Sequence, residues 1–194
     1  MVTTRRLTAA AELRAMAHPL RLRVIEELGL DGPLTATELA ERVDESPSNL
    51  SWHLRQLAKH GYVEEVDVPG RRRPWRLTSM SHDFGDELEG DARAAATALM
   101  AIVERHDLQA QHEYQLRESA EPQEWRDAAF RASAIAWLTA EELAAVNQAI
   151  YDVLEPTVGR LSDPSLRPDG ARPVRLVYWG HPVHPDADST QDQS

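Results

Sequence analysis

The sequence predicts a mainly α protein of the α+β class, with one β-hairpin and a late strand. Apolar residues recur at helical spacing through most of the 194 residues. A hairpin is indicated at residues 62–78, and PVRLVYW (residues 173–179) has the composition of a second strand region. We therefore divide the chain into an N-terminal domain (1–80), a linker with a long helix (81–120), a small helical domain ending in a strand (121–185) and a polar tail (186–194), which we expect to be disordered.

Charge is distributed unevenly along the chain. The net charge is -11, yet residues 1–78 hold 12 Lys and Arg against 11 Asp and Glu, leaving 9 against 21 in the remainder. There are no cysteines, which excludes disulfides, thiolate metal sites and cysteine nucleophiles. No apolar run approaches the roughly 20 residues of a membrane span, and no secretory signal is recognisable. We expect a soluble cytoplasmic protein with no membrane partner.

Four helices are predicted before the hairpin. The first runs over residues 9–17 with Thr8 as its cap, and Pro19 begins the second, which continues to Leu28. Thr35 and Glu38 form a T-x-x-E capping box at the start of the third helix. A turn at residues 44–45 follows, and the fourth helix occupies residues 47–60. Its cap is Ser46, and Pro47 takes the first helical position.

The fourth helix has two contrasting faces. Leu50, Leu54 and Leu57 form an apolar face. The outer side carries hydroxyls, amides, cations and an indole. Such a face suits the DNA major groove, where Arg pairs with guanine and Asn or Gln with adenine; the alternative is a polar, solvated surface helix. The candidate DNA-binding residues on this helix are Ser48, Asn49, Ser51, Trp52, His53, Arg55, Gln56 and Lys59.

The predicted hairpin carries consecutive cations at its tip. Residues 62–68 form one strand, Pro69 and Gly70 begin a turn, and residues 75–78 form the return strand. A hairpin that follows such a helix indicates a winged helix-turn-helix, whose wing arginines contact phosphate and position the helix. These arginines are Arg71, Arg72 and Arg73.

Residues 9–79 resemble the ArsR/SmtB-like winged helix-turn-helix regulators of bacteria. The resemblance lies in AHPLRLRVIEEL, TATELAERV, SPSNLSWHLRQLAKHGYVE and the wing, and the S-x-H-L-x-x-L core of the family's recognition helix is present as Ser51, His53, Leu54 and Leu57. It implies that His53 either abuts DNA or steadies the helix. Many family members sense metals, but the candidate ligands here, such as His106 and His112, lie on opposite sides of one helix. We expect no metal and no cofactor.

A long helix is predicted from about residue 86 to residue 118. A narrow, partly alanine stripe runs along it, and the resemblance implies that this helix pairs with its counterpart in a homodimer. Packing against its own chain is the alternative. A two-fold dimer presents two recognition helices about one DNA turn apart, which predicts an inverted-repeat operator. The candidate dimerisation residues are Leu88, Ala92, Ala95, Leu99 and Ile102.

The C-terminal part resembles, less specifically, the extra helical domain with an ARPVRL-type strand found in some actinobacterial regulators of this class. Thr139 and Glu142 form a second capping box, and the helix they open stops near Pro156. Aromatic residues of this part are named as candidates for a small-molecule effector pocket, but the favoured interpretation is that they fill a small core or a dimer contact. They are Trp125, Trp137, Tyr178 and Trp179.

These patterns predict a transcriptional regulator, which we expect to be a repressor. Its partners would be double-stranded DNA, a second copy and a possible small-molecule effector. The alternative is a winged-helix protein-interaction module that uses the acidic second half of the chain. An enzyme is not expected, because the sequence has no phosphate-binding glycine loop, no H-E-x-x-H motif, no nucleophile elbow and no coherent Ser/His/Asp group.

Overall fold

The computed structural model describes residues 4–70, 72–78, 81–84 and 88–184. Helices dominate these ranges, and none of the helices described there is long and apolar enough to cross a membrane. The main elements, in chain order, are β1 (Thr4–Leu7), α1 (Ala10–Met16), α2 (Pro19–Asp31), α3 (Ala36–Val43), α4 (Pro47–Lys59), β2 (Val63–Glu65), β3 (Trp75–Leu77), β4 (Ser81–Phe84), α5 (Gly90–Arg117), α6 (Gln123–Ala128), α7 (Ala140–Leu154) and α8 (Gly159–Ser162).

One apolar core holds the N-terminal half together. Within the described ranges, every fully buried apolar side chain lies between Leu7 and Leu99, and helices α1 to α5 all contribute. Tyr62 is buried within this core, and its hydroxyl donates a hydrogen bond of 2.8 Å to the backbone carbonyl of Glu12 in α1. The core therefore fixes α4 relative to the helices beneath it.

The predicted helix starts in the helix-turn-helix are confirmed. Thr35 and Glu38 form the capping box: the Thr35 N–H donates to Glu38 Oε2 at 2.8 Å and the Glu38 N–H donates to Thr35 Oγ1 at 3.2 Å. The Asn49 N–H donates to the hydroxyl of Ser46, which caps α4. Between the two helices Asp44 has a φ of 52°, in the left-handed region, which makes the turn tight.

The predicted cap of the first helix is wrong. The N-cap position is Ala9, not Thr8, and no side chain caps α1. The strand β1 occupies the residues just before it, so Thr8 belongs to the connection between strand and helix. The cap of α2 is instead His18, whose Nδ1 accepts a 3.2 Å hydrogen bond from the N–H of Leu20.

The structure contains two small two-stranded sheets. The wing pairs β2 with β3 in antiparallel register, with Val63 opposite Leu77 and Glu65 opposite Trp75. Trp75 also exchanges two backbone hydrogen bonds with Leu34, which ties the wing to the loop before α3. A second sheet pairs β1 with β4 in parallel. The sequence predicts no strand at either place, and β4 falls in the predicted linker. The short, polar strands of this second sheet lack the alternation that signals a strand.

The predicted dimer stripe on helix α5 is largely covered by its own chain, the alternative that the sequence left open. Ala95 and Leu99 are buried within the chain, and Leu88 and Ala92 pack against the same core. Ile102 is partly buried beside them. The stripe is therefore used for packing against the chain's own helices, chiefly α1. A narrow apolar stripe fits either a neighbouring helix or a second copy, so spacing alone does not distinguish the two.

The C-terminal half contains helices but no strand among its described residues. The capping box of Thr139 and Glu142 is confirmed by hydrogen bonds of 2.7 and 3.2 Å. The strand predicted at residues 173–179 is wrong, because residues 171–182 have no regular secondary structure. A strand needs a neighbour for its backbone groups, and no described strand lies beside this segment. The predicted disordered tail, residues 186–194, falls outside the described ranges.

Candidate nucleic-acid interface

Three leucines dominate the inner face of helix α4, which also includes the buried ring of His53. Leu50, Leu54 and Leu57 are all completely buried. Three buried leucines at helical spacing fix both the height and the rotation of the helix, because turning it would expose each of them. The buried leucines thereby determine which positions of the helix face outward.

The outer face of α4 is not covered by any described part of the chain. Trp52 is 49% exposed, and Ser48, Asn49, Arg55 and Lys59 are also exposed, while Ser51 and Gln56 are half-buried. Among the described residues none forms an ion pair with the Arg55 guanidinium or the Lys59 ammonium. The side of the helix predicted to meet base edges is therefore open.

Two polar groups on this face already have partners. The Asn49 amide donates to the carboxylate of Glu45, and the Ser51 hydroxyl donates to the Pro47 carbonyl at 2.7 Å. Asn49 must give up the Glu45 contact before its amide can pair with a base. Ser51 keeps its oxygen as an acceptor only.

His53 does not belong to the outer face. It is 3% exposed, so its side chain does not reach the outer face, which favours the alternative that His53 steadies the helix. Its ring packs against the edge of Trp52 with centroids 4.8 Å apart and against the ring of His18. His53 sits at the border of the leucine stripe, where helical spacing does not separate an inward from an outward position.

The wing presents cations beyond a turn that requires glycine. Gly70 has a φ of 103°, a conformation that side chains disfavour. Arg72 and Arg73 are exposed, and Arg73 has only a loose pairing, 3.5 Å, with the fully exposed Asp67. Arg76, in β3, is instead held by Glu64 across the hairpin at 2.8 Å. Arg71 lies outside the described residues.

An open cleft joins the wing to the start of α3. It is lined by Thr35, Ala36, Thr37, Glu38, Arg72 and Arg73. The first turn of a helix directs free N–H groups and a positive dipole end outward, and here two guanidinium groups flank it. Sequence analysis does not include α3 in the site, although the cap at Thr35 marks where those N–H groups lie. The Glu38 carboxylate opposes this charge, and hydrogen bonds from Thr35 lower the pKa of Glu38 so that it stays ionised.

The four aromatic effector candidates are not enclosed together within one chain. Trp125 carries the guanidinium of Arg172 over its ring at 4.9 Å. Tyr178 meets Tyr151 edge-on with centroids 6.5 Å apart. Trp137 is fully exposed and Trp179 is 68% exposed. An effector pocket at these residues stays a prediction.

A cluster of charges connects the C-terminal segment, residues 171–182, to α2 and α5, and no sequence pattern predicts it. Arg175 donates to Asp107 at 2.6 Å and to the carboxylate of Glu26, which also contacts His106 Nε2 at 2.7 Å. The hydrogen bond with His106, followed by the charge of Arg175, lowers the pKa of Glu26. The partners are separated by up to 149 positions, so no local pattern reveals them.

Among the comparisons with known proteins, the match to a family model agrees with the N-terminal geometry. Residues 16–66 match the family described as "Helix-turn-helix domain". No curated protein shows a significant match to the chain. Among solved structures, NMB1585, a MarR family regulator from Neisseria meningitidis, is 17% identical, covering 74% of this chain and 79% of that one, with a TM-score of 0.32. MepR, a transcription regulator of the Staphylococcus aureus multidrug efflux pump MepA, is 14% identical, covering 73% and 76%, with a TM-score of 0.28.

Those two structural similarities are too low to support an argument about function. The family match runs from the last residue of α1 to just past the first wing strand, and it includes α2, α3 and α4. Residues 16–66 are similar to this helix-turn-helix family, and the match supports a DNA-binding transcriptional regulator.

Proposed function

We propose that this chain is a sequence-specific transcriptional repressor of the ArsR/SmtB-like kind, which binds an inverted-repeat operator as a homodimer and performs no catalysis. In this proposal α4 is the recognition helix and enters the major groove. Arg55, together with Asn49 or Gln56, reads base edges, and Trp52 packs on sugar or a thymine methyl. Ser48 and Lys59 contact phosphates, and Ser51 does so once its hydroxyl leaves the Pro47 carbonyl.

The observation that carries the proposal is the open outer face of α4. A helix whose leucines are completely buried and whose Arg55 has no partner among the described residues has its donors free for a ligand. The indole of Trp52, 49% exposed, adds an apolar surface beside these donors. Base edges and the sugar-phosphate backbone supply both kinds of contact at once.

The wing and the start of α3 fit the flanking phosphates. Arg72 and Arg73 and the first turn of α3 line one cleft, so a phosphate there would meet two guanidinium groups and backbone N–H donors. The two wing arginines and the first turn of α3 show no arrangement of side chains that would read bases. Their proposed role is to set the register of α4 on the duplex.

The charge distribution supports a localised footprint. The near-neutral N-terminal domain concentrates its cations on α4 and the wing, while residues 79–194 carry 9 cations against 21 anions. The acidic half repels phosphate, so DNA is excluded from that side of the molecule. Such a protein is expected to discriminate against random DNA more strongly than a uniformly basic one.

The charge cluster at Glu26 offers a route by which an effector acts. Arg175 links the C-terminal segment to α2, which packs against α3 and α4. A small molecule bound near Tyr178 and Trp179 would displace this segment and pull on Glu26. The expected result is a change in the spacing of the two recognition helices, and hence in operator affinity.

Selection from random DNA, followed by footprinting at moderate salt, tests the proposal. We expect a short inverted repeat whose half-sites lie about 10 base pairs apart, as two-fold symmetry requires. Recovery of no sequence, with binding no tighter than to random DNA, would contradict the proposal and favour the protein-interaction module. A single unrepeated site would contradict the dimer while leaving DNA recognition intact.

A further inference from the structure

The C-terminal half has apolar residues but no core. None of the described residues 121–184 is buried, although this part holds Phe130, Ile135 and Trp137, whose exposures are 79%, 83% and 102%. Helix α7 spans 15 residues without one buried side chain. An isolated helix of that length is marginal in water, and most helical stability comes from packing. Something must therefore cover these side chains in the folded protein.

Two segments of this half have no regular secondary structure. The first, which we call the arm, is residues 129–139; the second, which we call the C-terminal segment, is residues 171–182. Among the described residues, 130–138 and 172–182 form no backbone–backbone hydrogen bonds. The two segments are 11 and 12 residues long, so each can pair along the length of the other.

The C-terminal segment is attached to its own chain by arginine ion pairs and by the edge-on contact of Tyr178 with Tyr151 of α7. Arg172 pairs with Glu121 at 2.8 Å and Arg175 pairs with Asp107 at 2.6 Å. Its apolar side chains Val174, Val177 and Trp179 remain exposed. The segment is thus held in place while it offers an apolar surface and a free backbone edge. The arm, by contrast, is exposed along its whole length.

The exposed area matches what a large dimer covers. The chain exposes 14537 Å², against about 9,300 Å² for a compact protein of 21.8 kDa. Even when the residues outside the described ranges are assigned the area of an extended chain, roughly 3,000 Å², an excess above about 2,000 Å² remains. Obligate homodimers bury roughly 1,000–2,500 Å² per copy.

We propose that two copies of this chain exchange their arms, so that residues 129–139 of each copy lie on the C-terminal segment, residues 171–182, of the other. Each copy then supplies both halves of the contact, as a two-fold interface requires. Because the surfaces are mostly apolar, no oppositely charged partner is needed. The exchanged arms, rather than the stripe on α5, hold the dimer together. This inference deepens the proposed homodimer but does not depend on DNA recognition.

The mass of the full-length protein in solution tests whether the protein is a dimer. By light scattering we expect twice 21.8 kDa. Trp137→Ser should raise the dissociation constant of the dimer at least tenfold, because buried tryptophans dominate interfaces. Trp52→Ser is the matched control: it removes an exposed tryptophan from α4 and should leave the mass unchanged. A wild-type monomer, or equal effects of the two substitutions, would overturn the proposal.

Cross-linking tests the exchange itself without disrupting the fold. The chain has no cysteines, so a Trp137→Cys chain mixed with a Val177→Cys chain can form only the bonds introduced. We expect a disulfide between the two different variants, since such a bond requires Cα atoms within about 7 Å. Disulfides formed only between like variants would overturn the exchange. So would a Trp137→Cys/Val177→Cys double variant that forms its disulfide within a single, monomeric chain.

The two proposals can fail separately. DNA binding by a wild-type monomer would overturn the arm exchange and leave DNA recognition standing. A cross-linked dimer that selects no DNA sequence would support the exchange and contradict the proposed function. Both measurements use the same full-length protein.

Discussion

The imidazole rings of His18 and His53 lie with their centroids 4.7 Å apart and tilted by 49°. His18 caps α2 through an unprotonated Nδ1, and His53 lies on the inner side of α4 with its own Nδ1 buried and unpartnered among the described residues. Burial lowers the pKa of both rings, and the charge of Arg21 lowers each of them further. The neutral forms are therefore the ones that fit the fold.

The first prediction follows for the dependence of stability on pH. Because the folded pKa of His53 lies below its unfolded value of about 6.5, the unfolded chain binds more protons, and stability rises with pH. The contribution of the neutral ring to the free energy of unfolding should be complete above about pH 7 and should decline as the pH falls through 6.5. The slope of this decline is at most about 1.4 kcal/mol per pH unit for each histidine. His53→Phe should flatten this decline in urea titrations between pH 7 and pH 5.

The control for this prediction is His112→Gln, because His112 is an exposed residue of α5. Its substitution should leave the decline unchanged. The carboxylates with lowered pKa values, including Glu38, lose their contribution only below about pH 4.5, so they do not confuse the measurement. An equal decline in wild type and His53→Phe would show that the ring pair does not titrate on unfolding.

The second prediction concerns base recognition. Arg55→Ala should weaken binding to the selected operator by about 1–3 kcal/mol and relax the preference at one base step, because a bidentate contact is lost. Gel-shift titrations on operator and random DNA measure both effects. Arg105→Ala, at an exposed arginine of α5, is the matched control and should change neither. Equal loss on operator and random DNA would indicate that Arg55 contacts phosphate only.

The third prediction concerns the wing. Arg72→Ala should make the slope of log affinity against log salt shallower by about one unit, the value for one lost phosphate contact. Arg76→Ala is the comparison, because Glu64 already neutralises Arg76 at 2.8 Å, and its slope should stay close to that of wild type. If both variants keep the wild-type slope, the wing does not contact the DNA backbone.

The fourth prediction concerns the start of α3. Thr35→Ala removes an oxygen that accepts from the Glu38 N–H, and should lower the free energy of unfolding by about 0.5–2 kcal/mol. Thr37→Ala, two residues along the same helix, removes an exposed threonine and should cost far less. Chemical denaturation of both variants provides the measurement. Equal destabilisation would mean that the capping box contributes nothing beyond helix propensity.

Local chemistry explains why the helix-turn-helix could be predicted from the sequence. Thr35 and Ser46 mark helix starts through hydrogen bonds to groups three residues away, and Leu50, Leu54 and Leu57 define an inward face by spacing alone. These signals lie within one or two helical turns. They predict which side of α4 is open without any knowledge of distant contacts.

The features that sequence analysis misses depend on distant partners. β1 and β4 pair across 77 positions, and Arg175 reaches Glu26 across 149 positions. The stripe through Ala95 and Leu99 fits a second copy as well as it fits α1, because both are apolar helices. The strand predicted at residues 173–179 has the right composition, but a strand forms only where a neighbour completes its hydrogen bonds.

The uncovered apolar surface of residues 121–184 has a consequence for the concentration at which the protein is stable in a cell. In an exchanged dimer the stability of that half is set by mass action, so melting temperature rises with protomer concentration. Freshly made chains at low copy number would leave residues 129–139 open to proteases. The regulator would then persist only above a threshold concentration, so its rate of synthesis would itself affect regulation.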